Sequence, residues 1–232
     1  MILNLSGELI SDDWAELYRR HDYKAGFFCP ADVRDAIGRL QPGEELVLEI
    51  NSIGGNVDAA AEIYSLIEST QSPTRAVIQS LAASAASYMI QSCDRVEISL
   101  PAQMMIHLAS SWAFGNKHAM KRGYQMLDTS DRSILSVYVR KSAGKADEAT
   151  LEQLMENETY LTSSDALAYG LVDAVIGAAP EPGTPMVAAS AFNNTIRAMR
   201  TLPPIEDLIA REKSETESML RQELEAEKNR YK

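Results

Sequence analysis

Residues 46–50 read Leu-Val-Leu-Glu-Ile, and this nearly unbroken apolar run restricts the fold more than any other stretch of the chain. A strand with one wet face alternates apolar and polar residues. One that is apolar at almost every position belongs in a sheet covered on both faces. The run passes through Asn51-Ser-Ile-Gly-Gly-Asn56 into a helical pattern with Val57, Ala60, Ala61, Tyr64 and Ile67 on its inward side. Further on come a strand at 75–79, a small-residue helix from about Ser84 to Ser92, and strands near 95–98 and 103–107. Strand and helix in alternation predict an α/β domain with mostly parallel pairing.

The flanking segments fit that plan. Residues 2–5 read as a first strand ending near Gly7, and Ser11-Asp12-Asp13 caps a short helix carrying Trp14, Leu17 and Tyr18. Residues 21–29 read as irregular. Pro30 then opens a helix with Val33, Ala36, Ile37 and Leu40 on one face, closed by the turn Gln41-Pro42-Gly43. From Asn116 to about Ser142, Met120, Tyr124, Leu127, Ile134, Leu135 and Tyr138 recur at helical spacing, and Gly144 is a stop signal. A shorter helix covers about 147–157. Thr162-Ser-Ser-Asp165 has the form of a capping box opening a helix that ends at Gly170, after which residues 171–173 return toward the sheet. Beyond Gly177 the composition turns to Pro and Ala. We divide the chain into a domain at 1–177, a linker at 178–204 and a charged, helix-favouring or partly disordered extension at 205–232.

Composition removes several function classes. A net charge of −11 supplies nothing to neutralise phosphates, which argues against nucleic acid or an anionic membrane as partner. Cys29 and Cys93 are the only cysteines, too few for a disulfide framework and without the clustering a zinc site needs. Neither a basic start followed by a long apolar run nor a membrane-length segment is present, so the expectation is a cytoplasmic protein.

Four segments carry chemistry. Gly54-Gly55 is what any tight strand-to-helix turn requires, and its backbone N–H groups are equally suited to binding an oxyanion. Ser84 lies among alanines, a setting that suits close packing or an accessible nucleophile; Ser80 and Ser87 compete with it. His107 ends the apolar run Met104-Met105-Ile106, whereas His21 and His118 lie in irregular and polar surroundings. The acid that would orient an imidazole has three candidates, Glu156, Glu158 and Asp165. No G-x-S-x-G motif occurs, which excludes the common α/β-hydrolase elbow.

In order and context, Ile50-Asn-Ser-Ile-Gly-Gly55, Ala82-Ala-Ser-Ala-Ala86, Leu100-Pro101 with Met105-Ile-His107, and Tyr169-Gly-Leu-Val-Asp173 resemble the ClpP family of serine peptidases. Leu81-Ala-Ala-Ser-Ala-Ala-Ser87, Ala113-Phe-Gly-Asn116 and Glu158-Thr-Tyr-Leu-Thr162 are most similar to the ClpP-related head-maturation (prohead) proteases of tailed bacteriophages. The resemblance implies a ClpP/crotonase-like spiral of ββα units with a protruding handle helix at about 116–142. It implies Ser84 as nucleophile, His107 as general base, and the N–H groups of Gly55 and Ala85 as oxyanion hole, with no metal and no cofactor. The family's acid is usually Asp, and its position here is occupied by Glu158; the Pro usual in the glycine motif is replaced by Ile53. The implied partners are copies of the chain, in a heptameric ring or double ring, and a capsid or scaffold protein as substrate. Other readings are a housekeeping peptidase subunit driven by an unfolding ATPase, a crotonase-type enzyme, and a catalytically silent assembly module.

Overall fold

The computed structural model describes residues 1–177 and 203–230, with side chains of the last helix to residue 218. The linker therefore lies almost wholly outside the described residues. Strands β1 (Ile2–Leu9), β2 (Phe27–Phe28), β3 (Leu46–Gly55), β4 (Thr74–Ala83), β5 (Arg95–Ser99) and β8 (Ala174–Ile176) form a sheet in the order β2-β1-β3-β4-β5-β8. Every pair in that order is parallel. Helices α1 (Asp12–Arg20), α2 (Pro30–Arg39), α3 (Val57–Ser69) and α4 (Ala85–Met89) make the crossovers, α4 running into a 3-10 turn at Ile90–Ser92. The α/β class and its parallel sheet are as expected. Leu46, Leu48, Ile50, Ala76 and Ile78 share one face of the sheet and are fully buried, whereas on the other face Val47 and Val77 are buried but Glu49 and Arg75 only partly so, and that face is less completely covered than the apolar run predicts.

β4 changes partner along its length, and this positions the site. Its first half, Arg75 to Ile78, pairs with β5. Its second half, Leu81 to Ala83, pairs instead with β6 (Gln103–Ile106), which is antiparallel to β7 (Thr159–Thr162). The change of partner coincides with a register shift against β3 between Ile50 and Ser52, where β4 holds extra residues. Such a bulge bends a strand and re-aims its remaining residues. The expected strand at 75–79 stops short because residues 80–83 carry no strand-like side chains; their pairing is imposed by β6.

Other differences have similar causes. Residues 21–29 are not wholly irregular: Phe27 and Phe28 form β2 on the edge beside β1. β1 runs past Gly7 to Leu9 through a bulge at Gly7/Glu8, where a Cβ on Gly7 would lie 2.1 Å from the Gly26 carbonyl oxygen. On α3, Ile63 is buried and Ala61 is exposed, so the inward face is rotated from the expected one.

Beyond the sheet come the long helix α5 (Lys117–Ser142), α6 (Glu148–Glu156) and α7 (Ser163–Ala168), whose Thr162/Asp165 capping box is formed. Asp173 closes the domain: its carboxylate accepts from Val96 N–H and pairs with Lys141 Nζ, both at 2.7 Å. Helix α8 (Ile205–Arg230) seats Leu208 in a second apolar cluster with Leu17, Tyr18 and Phe27, and Arg20 of α1 pairs with Glu212.

Candidate active site

Ser84 stands where β4 ends and α4 begins, with φ 56° and ψ −129°. A residue with a side chain rarely adopts that backbone, at a cost of about 1–3 kcal/mol, and keeps it only where its surroundings impose it. Here the imposition is visible. Ser84 N–H donates to the Met105 carbonyl of β6 at 2.8 Å. Its own carbonyl accepts from Ser87 N–H at 2.9 Å and from Ser87 Oγ at 2.7 Å. The strained turn presents Oγ toward β6, and His107, the residue after that strand, brings Nε2 to 2.7 Å from it. Met104 and Ile106, fully buried, hold the strand that carries the imidazole.

The glycine turn lies directly against this corner. Gly54 and Gly55 have φ of +91° and +146°. A Cβ on Gly54 would stand 2.6 Å from the Ala83 carbonyl oxygen and 2.8 Å from both Ala85 N and Ser84 Cβ; one on Gly55 would stand 2.1 Å from the Leu9 carbonyl oxygen. Only glycine permits this approach. Ser52, fully buried, braces the turn: its hydroxyl donates to the Gly7 carbonyl at 2.6 Å and accepts from Gly54 N–H at 3.0 Å. Ala85 opens α4, so its N–H belongs to the helix end whose donors have no partner within the helix. Gly55, Ser84, Ala85 and His107 line one cavity, together with Val57 and Tyr88.

Glu158 is not among them. It directly precedes Thr159, and Thr159 pairs with Ile106, so its backbone faces His107 across the β6–β7 ladder. Yet its side chain is exposed, and among the described residues no hydrogen bond joins it to His107. Its φ of 48° gives the reason. Asn157 caps α6, and Glu158 N–H turns back to the Met155 carbonyl at 3.1 Å, closing the helix in the left-handed conformation. That closure turns the residue out of the alternation that would aim it at the imidazole.

The matching family model is that of the Clp protease, over residues 36–179, a span of more than half the chain. The chain belongs to the Clp protease family. Membership places it among serine-type peptidases whose members typically form oligomeric rings.

The competing residues of this Clp protease have other settings. Ser80 Oγ is buried at the β4 bulge without a hydrogen-bond partner among the described residues, and the Ser87 hydroxyl is bonded to the Ser84 carbonyl. His118 is exposed in the first turn of α5, and His21 caps the end of α1. Glu156 ends α6, exposed, and Asp165 is bonded to Thr162 in its capping box. Three residues support the site in roles the sequence did not signal: Ser52, Tyr138, whose hydroxyl reaches Ser87, and Asp131, whose Oδ1 accepts from Ala109 N–H at 2.6 Å and fastens the segment after His107 to α5. Beside that segment a cavity of about 420 Å³ opens between α5 and α6, lined by Leu108, Ala109, Leu127, Asp131, Leu135 and Met155 and meeting the Ser84 cavity at Ala109. Among the described residues no group of three or more His, Cys, Asp or Glu could hold a metal ion, and no helix is long and apolar enough to cross a membrane.

Proposed function

We propose that this Clp protease is a serine endopeptidase working through a Ser84–His107 pair. His107 Nε2 takes the hydroxyl proton as Ser84 Oγ attacks the peptide carbonyl. The developing oxyanion is held by the N–H groups of Gly55 and Ala85, and His107 returns the proton to the leaving amine. Water, deprotonated by the same imidazole, then hydrolyses the acyl-enzyme. The observation that carries this reading is the 2.7 Å contact between Ser84 Oγ and His107 Nε2 at a turn too strained to be incidental. Glu158, opposite His107 but unbonded to it, is the candidate third member, and we assign the proton transfers to the pair alone. The reading calls for no cofactor. Labelling with a fluorophosphonate tests it: wild type is expected to take up one label per chain at Ser84, and Ser84→Ala none. Equal labelling of both would overturn it.

For the substrate we propose capsid or scaffold protein during phage head maturation, with cleavage independent of ATP in the host cytoplasm. The phage-type motifs at 81–87, 113–116 and 158–162 support this. Incubating wild type and Ser84→Ala with the structural proteins encoded alongside tests it, equal processing by both being the contrary result. We further propose assembly of copies into a ring through α5. Its second half packs Ile134, Leu135 and Tyr138 into the core, while on its first half Met120 and Tyr124 are 44% and 71% exposed. That apolar surface matches a homotypic interface.

A further inference from the structure

Ser87 and Tyr138 form a buried polar pair with no role in the proton transfers. They are 0% and 1% exposed, and their hydroxyl oxygens are 2.7 Å apart. The direction of their hydrogen bonds is set by the partners. Ser87 Oγ lies 2.7 Å from the Ser84 carbonyl oxygen, which can only accept, so the one hydroxyl proton of Ser87 goes there. Ser87 Oγ must then accept, and the Tyr138 hydroxyl donates to it. Burial pushes the phenol of Tyr138 above its ordinary value, which keeps that proton in place. With Ser87 N–H also on the Ser84 carbonyl, that oxygen is held by two donors.

The carbonyl they hold is one end of a rigid plane. The peptide unit joining Ser84 to Ala85 is planar and trans, so its C=O and its N–H point in opposite directions and turn together. Fixing the Ser84 oxygen therefore fixes the direction of the Ala85 N–H, the proposed oxyanion donor. From this we infer that Ser87 and Tyr138 are positioning residues for the oxyanion hole, acting through the far side of the Ser84–Ala85 peptide plane. Tyr138 lies on α5, so the device ties that helix to the orientation of one catalytic donor. The inference rests on Ser84 being the nucleophile.

Tyr138→Phe keeps the ring and removes only the hydroxyl. Deleting an oxyanion donor outright costs about 100- to 1,000-fold in rate, and misdirecting one a fraction of that. We expect kcat on a reporter peptide to fall about 10- to 50-fold with KM within about twofold. Binding of a peptide boronate, which fills the oxyanion hole, should weaken by a similar factor, while binding of the non-reactive product peptide is unchanged. Ser87→Ala should fall as far, and the double variant no further than Ser87→Ala, because the two hydroxyls act in series. A Tyr138→Phe protein with wild-type kcat and boronate affinity overturns the inference. So does a loss that tracks a lowered melting temperature and adds in full to that of Ser87→Ala. Ser84→Ala in the same assay separates the two levels: surviving hydrolysis there defeats the site reading itself, whereas its loss together with an unaffected Tyr138→Phe defeats only the positioning.

Discussion

Ser84 and Glu158 share a backbone anomaly, a positive φ on a residue with a side chain, at 56° and 48°. The two corners use it differently. At the β4–α4 corner the conformation is enforced from β6 and α4, pressed on by the glycine turn, and leaves Oγ bonded to an imidazole. At the α6–β7 corner it ends a helix, a task usually given to Gly or Asn, and leaves the carboxylate in solvent. Backbone strain is therefore evidence of function only where its surroundings turn it to a chemical end. The largest effects of mutation should fall at the first corner.

Ser84→Ala or His107→Ala should lower peptide hydrolysis by on the order of 10⁴- to 10⁶-fold, with the double variant no worse than either, since the two act as one unit. Steady-state kinetics at matched protein concentration measures this. Next comes Gly55→Ala. Its Cβ meets the Leu9 carbonyl oxygen, so β1 and β3 must part or the turn must shift. We expect a loss of activity of about 100-fold or more and a destabilisation of about 3 kcal/mol, read by hydrolysis and by urea unfolding. A stable, active Gly55→Ala would show that the turn is not held tightly against β1 at Leu9.

Glu158 gives the opposite forecast. Removing the acid from a working triad costs about 10⁴-fold. With no bond to His107, Glu158→Gln should stay within about tenfold of wild type. Glu158→Gly should raise stability by roughly a few tenths of a kcal/mol or more by relieving the left-handed conformation. A loss of about 10⁴-fold in Glu158→Gln would instead show that the turn re-forms in the working state and brings the carboxylate to Nδ1.

Legibility in the sequence divides along the same line. The covered strand at 46–50, the glycine turn and the capped helices were legible because each is a local pattern: an apolar run, a residue pair with special dihedrals, a cap three residues from its partner. Ser84, His107, Gly55 and Ala85 were singled out through a family resemblance, and all four line one cavity. The second half of β4 was not, since Leu81-Ala-Ala has no strand signature and owes its conformation to β6. Nor were Ser52, Asp131 and Tyr138. Each is an ordinary residue in its own segment, and acquires its role from a partner 22 to 51 residues away.

The smallest expected effect lies on the strand that floors the glycine turn. Glu8 of β1 pairs in register with Gly54, just past the bulge at Gly7, and burial raises its carboxyl above the ordinary range. A raised acid favours its protonated form in the folded state. Its stabilisation is therefore complete below the unfolded value, about 4.3, and is lost as pH climbs through the folded one. At pH 7 the chain carries a partly desolvated charge beside the turn, which Glu8→Gln removes. The variant should melt about 1–2 °C higher than wild type at pH 7, the difference closing below about pH 4. Calorimetry across that range reads it, and an equal shift at both ends would mean that the gain comes from packing and not from the charge. Activity should stay at wild-type level throughout, because Glu8 meets Gly54 through backbone pairing, which is indifferent to the side chain's charge.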